Sequence, residues 1–161
     1  MFALASEAGL CALEFGTVPR RDRLDARLRR WLAPFEIRNG ASATIQRVRE
    51  WLRRYFDGED APPSGVVLQM LGTPFERRVW TALLAIPPGE TRSYGAIARA
   101  LGAPGASRAV GLANGANPLA IIVPCHRVVG ANGALTGYGG GLDRKAWLLN
   151  HEARWRSGRL F

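Results

Sequence analysis

Few side chains in this sequence could do covalent or acid–base chemistry, and most of them cluster. Pro124-Cys125-His126-Arg127 follows the apolar run Ile121-Ile122-Val123 and precedes Val128-Val129. A thiolate attacks electrophilic carbon and a thiol hardly does, so a reactive cysteine needs a base or a positive field beside it. His126 is adjacent, although neighbours in an extended chain point to opposite sides. Communication between the two would need a turn here or a bridging water. The pair His151-Glu152 could bring a carboxylate to His126, fixing its tautomer and favouring its charged form. The competing reading is a structural cysteine beside a hydrogen-bonded histidine, and residue types alone leave both open. Cys11 reads as a small buried hydrophobe. Two cysteines and two histidines, without C-x-x-C or H-x-x-x-H spacing, give no metal signature, so no metal is expected.

The elements that must position these residues belong to a chain of 161 residues, 47% apolar and 22% charged, long enough for one good core or two small domains. No apolar run approaches the roughly 20 residues that span a bilayer. Met1 to Leu10 lacks a basic region followed by an apolar one, so no secretory signal is expected, and the expected compartment is the cytoplasm, with reduced thiols. The net charge of +9 is uneven. Residues 1–67 carry 11 basic and 9 acidic side chains, whereas residues 68–161 carry 11 basic and only 4 acidic. The half that holds Cys125 therefore has the field a polyanion, nucleic acid first, would seek.

Phe2–Ala5 and Leu10–Phe15 read as a hairpin of two strands. Asp22–Trp31 and Ala41–Phe56 follow helical spacing, the second with Ser42 as N-cap. Glu59–Gly65 reads as a linker and Val66–Met70 as a strand, which puts a domain boundary near 70. Thr73-Pro74-Phe75-Glu76 has the form of a capping box opening a helix with Phe75, Val79 and Leu83 inward. Ser93 can cap a helix ending at Gly102, and a short turn leads to Ala106–Ala113. Helix, tight turn, helix is the helix-turn-helix arrangement. The second helix is small-sided, with Ala106, Ala109, Gly111 and Ala113, and its only charge is Arg108. Asn114–Pro118 reads as a turn, Ile121–Val123 as the buried strand that delivers Cys125, and Leu142–Glu152 as a last helix with Trp147 and Leu148 inward. The tail from Arg154 to Phe161 reads as irregular.

From Phe75 to Glu152 the sequence resembles the O6-alkylguanine-DNA alkyltransferases, single-use DNA repair proteins. The matching blocks are Val79-Trp80, Ile86-Pro87, Thr91-x-Ser93-Tyr94, Ala106-x-Arg108-Ala109-Val110, Asn117-Pro118 and Pro124 to Val129. They continue through Gly137-Tyr138-x-Gly140-Gly141, Lys145 and Leu148-Leu149-x-x-Glu152. The resemblance implies an α/β protein: a small RNase H-like α/β domain over 1–70, then a mostly helical domain over 71–161 with a winged-helix-like helix-turn-helix. It implies that Cys125 accepts an alkyl group, that His126 deprotonates it through a water, that Glu152 orients His126, and that Asn117 holds the turn. Tyr94 would assist the leaving guanine, and Arg108 would enter the duplex and fill the space of the extruded base. Ser93, Ala106, Ala109, Gly111 and Asn114 would complete the DNA face, in the minor groove. Trp80, Tyr94, Val128, Tyr138 and Gly139 would form the base pocket, with the small Gly139 admitting bulkier alkyl groups. The implied partner is duplex DNA carrying O6-alkylguanine (O4-methylthymine also), met as a monomer, with cooperative assembly left open; no cofactor and no membrane are implied. Because the target oxygen lies inside the base stack, the base must be flipped out.

Three other readings compete: a non-catalytic lesion binder, a cysteine hydrolase with His151 as base, and a transcription factor. The presence of Cys125 weighs against the first, and the lack of an oxyanion motif against the second. Sequence-specific binding to undamaged DNA, indifferent to Cys125→Ser, would mark the third.

Overall fold

The structure, a computed structural model, describes residues 1–59 and 61–156. Phe2–Ser6 (β1) and Gly9–Glu14 (β2) form an antiparallel hairpin, with a bulge at Leu4/Ala5. All six residues of β2 are buried, because its outer edge is also covered. Leu10 bonds Val67 and Gln69, and Leu13 bonds Pro118 and Ala120, both pairings parallel. The strand expected over Val66–Met70 is thus a single bridge at Leu68, too short to form a ladder.

Helix α1 runs Val18–Trp31, a turn longer at its start than its apolar spacing indicates, since Pro19 suits the first helical turn. Helix α2 runs Ala43–Phe56, and the Ser42 side chain accepts the amide of Ile45. Helix α3, Pro74–Leu84, opens on a reciprocal capping box between Thr73 and Glu76. It buries Val79, Trp80 and Leu83. Arg92–Ser93 (β3) leads into α4, Tyr94–Ala100, capped by Ser93, and Gly102 takes the left-handed conformation (φ 71°) that ends it. Helix α5 spans Ser107–Gly115, so Asn114 is its penultimate residue and the turn begins only at Ala116. Val128–Val129 (β4) pairs parallel with β3.

Helix α6 runs Leu142–Arg156, so Arg154 continues the helix rather than starting an irregular tail; residues 157–161 lie outside the described ones. Its inward face is Lys145, Leu148 and Glu152, spaced three and four apart. Trp147 is one residue off that face and is 53% exposed, against the expectation that it points inward; it stacks on His151 at 4.8 Å. One apolar core unites both halves of the chain, from Leu10, Leu13, Val48 and Tyr55 to Val79, Trp80, Ile97, Val123 and Leu148. Its members come from helices and strands alike, which makes this a mixed α/β fold. No helix among the described residues is long and apolar enough to cross a membrane.

Candidate active site

Ile121–Val123 is buried, as an apolar run should be, but it is not a strand. Ile121 and Ile122 form a turn in which Val123 N–H donates to Leu119 C=O, and Ile121 sits at φ 70°. That conformation is costly for a β-branched residue, and such strain persists only where the surroundings enforce it. Asn117 supplies part of the enforcement. Its Oδ1 accepts Leu119 N–H at 2.9 Å, and its Nδ2 donates to Val123 C=O at 2.9 Å and to Cys125 Sγ at 3.1 Å.

The chain then tightens into a 3₁₀ turn over Cys125–Arg127, which is the turn that an extended chain would have lacked. All three side chains are buried. Burial pushes the Cys125 thiol up from its ordinary value; the Asn117 hydrogen bond and the Arg20 charge pull the other way and do not offset it. The thiol is therefore protonated at rest and needs a base.

His126 is fully buried and its Nε2 lies 2.8 Å from Glu152 Oε1. Glu152 is the hub of the site. Oε1 also accepts Tyr55 O–H at 2.7 Å and Arg127 Nη2 at 2.8 Å, while Oε2 accepts Arg127 Nε at 2.8 Å and Gly89 N–H at 3.1 Å. These donors and the Arg127 charge outweigh burial and hold the carboxyl well below the usual range, so it is ionised. Its charge is already matched by Arg127. Desolvation therefore wins at His126 and pushes its pKa below the ordinary value, leaving a neutral ring. An ionised carboxylate at Nε2 selects the Nε2–H tautomer. Nδ1 is then a free acceptor, and it is buried without a protein partner. The arrangement can take up a proton at Nδ1.

Tyr94 stands at the start of α4, held next to the Cys125 turn by the β3–β4 pairing. Its hydroxyl donates to Thr136 C=O at 3.1 Å, and burial raises its pKa, so it stays a proton donor. Lys145, fully buried, donates to Val128 C=O at 2.5 Å and Thr136 C=O at 2.7 Å, tying the loop before α6 to β4.

The cavity at Cys125 is nearly closed, about 10 Å³, lined by Phe15, Arg20, Asn114, Tyr138 and Gly139 among others. A volume of about 10 Å³ does not hold a purine base. The space beside Gly139 is not open either: a Cβ there would overlap Nη1 of Arg20, so in this state Arg20, and not the small Gly139, sets the width. Arg20 is itself held by both oxygens of Glu14 and by Asn117 C=O.

Several sequence-based placements differ. Asn114, expected on the DNA face, is buried: its Nδ2 donates to Cys125 C=O at 3.3 Å and its Oδ1 has no partner. Trp80 does not line the cavity; it is core, and its Nε1 donates to Ala113 C=O at 2.8 Å, under α5. Val128 is buried behind the cavity, presenting its backbone to Lys145. Arg108 and Ala109 are exposed on α5, Ala106 caps it, and Gly111 packs on the Tyr94 ring. The Ser93 hydroxyl is used by the cap of α4. His151 donates from Nε2 to Tyr55 C=O at 2.8 Å within an aromatic cluster, away from any base role at Cys125. Arg127, Tyr55, Gly89 and Arg20 were missed. Only Arg127 carried a signal, being an arginine inside the Cys-His block.

Residues 74–154 match the family model of the 6-O-methylguanine DNA methyltransferase, DNA binding domain. A methylated-DNA–protein-cysteine methyltransferase of Mycolicibacterium paratuberculosis is 64% identical over 105 residues, which is 65% of this chain and 63% of that protein. The Salmonella typhimurium protein of the same description is 58% identical over 101 residues, 63% of this chain and 59% of the relative. The aligned part of this chain thus spans slightly under two thirds of the curated relatives. The crystal structure of Mycobacterium tuberculosis OGT in complex with DNA superposes with a TM-score of 0.74 at 43% identity, covering 95% of this chain and 86% of that one. The O6-methylguanine-DNA methyltransferase of the archaeon Pyrococcus kodakaraensis gives 0.66 at 30% identity, covering 89% and 84%.

Proposed function

This chain belongs to the 6-O-methylguanine DNA methyltransferase family, and from that membership we propose that it repairs DNA by moving an alkyl group from guanine O6 to its own Cys125. The observation that carries the reading is the polarity of the buried relay. Glu152, neutralised by Arg127, holds His126 at Nε2 and leaves Nδ1 as the acceptor beside the turn that bears the thiol.

The step balances as follows. The Cys125 proton passes to His126 Nδ1 through a water. The thiolate attacks the alkyl carbon from behind, an S–C bond forms, and the C–O6 bond breaks with its electron pair on the base. Tyr94 O–H supplies the proton the departing guanine takes up; the tyrosinate regains a proton from water as His126 releases its own, so the net transfer is from thiol to base. The thioether is stable, so each molecule acts once, and no cofactor enters the balance. Asn117 aims the sulfur and fixes the strained turn that carries it.

On the same reading, residues 1–70 form an RNase H-like α/β domain and 71–161 a helical domain, docked through the shared core. Helices α4 and α5 act as a winged-helix-like helix-turn-helix in the minor groove of duplex DNA. Arg108, exposed on the small-sided α5, fills the space of the flipped base, and Tyr138, Gly139 and the backbones of Cys125 and Val128 receive it once the loop over the cavity opens. The protein acts as a monomer in the cytoplasm.

The test is intact-mass and peptide mass spectrometry after incubation with duplex DNA containing O6-methylguanine. One methyl group on the Cys125 peptide is expected, with Cys125→Ser still binding the DNA but accepting nothing. An unmodified protein that binds tightly would make it a lesion binder instead.

A further inference from the structure

A groove far wider than the Cys125 cavity lies next to it. It is a cleft of about 650 Å³ between α1 and α5, and four arginines of α1 line one wall: Arg20, Arg23, Arg27 and Arg30. Their spacing of three, four and three puts them on one helix face. The opposite wall is α5, where Gly111 and Gly115 carry no side chain and Leu112, 74% exposed, stands out between them. Arg20 and Gly115 also line the Cys125 cavity, so the cleft and the cavity share a wall.

Two of the four arginines have structural work. Arg20 is paired with Glu14, and Arg27 with Glu76 at 3.0 Å, donating also to Leu71 C=O at 2.7 Å. Arg23 and Arg30 are exposed and make no ion pair among the described residues, although the Arg30 guanidinium lies over the Trp31 ring at 5.5 Å. Helix formation alone does not call for two unpaired cations one above another on the wall of a cleft. Among the described residues, the acidic side chains lining it are Glu14 and Glu76, paired with Arg20 and Arg27. The cleft is left with the charge of Arg23 and Arg30 facing the bare backbone of Gly111 and Gly115 on either side of Leu112.

Taking α5 as the minor-groove helix proposed above, we infer that α1 is a second DNA-binding element. Arg23 and Arg30 contact successive phosphates of the strand that lies in the α1–α5 cleft and leads its nucleotide to Cys125. A duplex straddling α5 has one backbone on each side of that helix. The cleft lies on one of those sides, and the missing side chains of Gly111 and Gly115 let a sugar–phosphate chain approach their backbone beside Leu112. The first seventy residues would thus take part in DNA recognition, with phosphates positioning the strand and no base read.

The experiment measures affinity for a duplex oligonucleotide by fluorescence anisotropy across a salt series. It compares the full chain, the double variant Arg23→Ala/Arg30→Ala, and a control of equal charge change, Arg49→Ala/Arg53→Ala, on α2, which lines none of the cleft. Each lost phosphate contact lowers the slope of log K against log salt by about 0.9. The cleft variant should lose about 1.8 from that slope, and its affinity deficit should shrink roughly tenfold between 50 and 200 mM salt. The control should change little, and the reaction of the cleft variant with free O6-benzylguanine should match that of the parent protein. A slope unchanged in the cleft variant, or equally changed in both, overturns the inference. If the parent protein fails to react with O6-benzylguanine and with methylated DNA, the alkyl-transfer reading falls instead, and the two slopes still decide whether α1 grips DNA.

Discussion

Arg127→Met is the perturbation that most directly tests the charge logic of the site. Arg127 gives Glu152 two parallel hydrogen bonds of 2.8 Å, with the arginine side chain 9% and the glutamate side chain 0% accessible. Removing one partner of a buried pair costs about 3–5 kcal/mol, because the remaining charge is uncompensated. Three donors, from Tyr55, His126 and Gly89, would still reach the carboxylate. In addition, His126 can respond. With Arg127 gone, its neighbour is a bare carboxylate at 2.8 Å, so its folded-state pKa should rise above the unfolded value instead of lying below it. A raised pKa contributes stability below the unfolded value, lost as pH rises through the folded one. The variant should accordingly be penalised more at pH 8 than at pH 6.

Urea denaturation followed by tryptophan fluorescence at both pH values reads this directly. The loss of about 3–5 kcal/mol corresponds to a fall in Tm of roughly 6–20 °C for a protein of this size. Glu152→Gln alone strands Arg127 and should cost a similar amount, whereas the double variant should cost clearly less than the sum, with a coupling of about 2–3 kcal/mol. A penalty under about 1 kcal/mol, strict additivity, or a penalty independent of pH would refute the account of Arg127 as the group that keeps Glu152 ionised and His126 neutral.

Tyr55→Phe removes one hydrogen bond to the buried carboxylate and should cost about 1.5–3 kcal/mol in the same urea assay, though Tyr55 lies in the first half of the chain. The unaltered protein should lose stability on acidification: burial holds the folded His126 pKa below 6.5, so the unfolded chain gains the proton first and the urea midpoint should fall as pH drops below about 6.5. A second loss should begin below the ordinary carboxyl value of 4.5, as Glu152, whose folded pKa is depressed, resists protonation while the unfolded chain does not. Arg108→Ala should slow methyl transfer from duplex DNA by about tenfold or more, near 1.4 kcal/mol, and leave the rate with free O6-benzylguanine unchanged; equal losses on both would remove it from base extrusion.

What could be read along the chain was local. Helical spacing, the Ser42 cap, the Thr73–Glu76 box, the Ser93 cap and the Gly102 stop depend on residues within one turn of each other, and they place α2 to α4 within a residue or two. The block around Cys125 and its ordered companions likewise pointed to one family. Of the distant partners, the sequence offered only Glu152 for His126, a contact that forms at 2.8 Å. The hub at Glu152 joins residues 97 and 25 positions away, Tyr55 and Arg127, and Arg20 reaches across 97 positions to Asn117. An arginine or tyrosine in a helix shows no preference for such a contact until packing creates the buried carboxylate it must neutralise. Packing also reversed single positions: Trp147 outward, Asn114 inward, and Ile121–Val123 bent into a turn whose strain is held by the Asn117 side chain. Residue types together with the ordered blocks around them were enough to name the thiol and its histidine. Only the tertiary structure decided which nitrogen of that histidine is free to act, because that depends on where the charges of Glu152 and Arg127 come to rest.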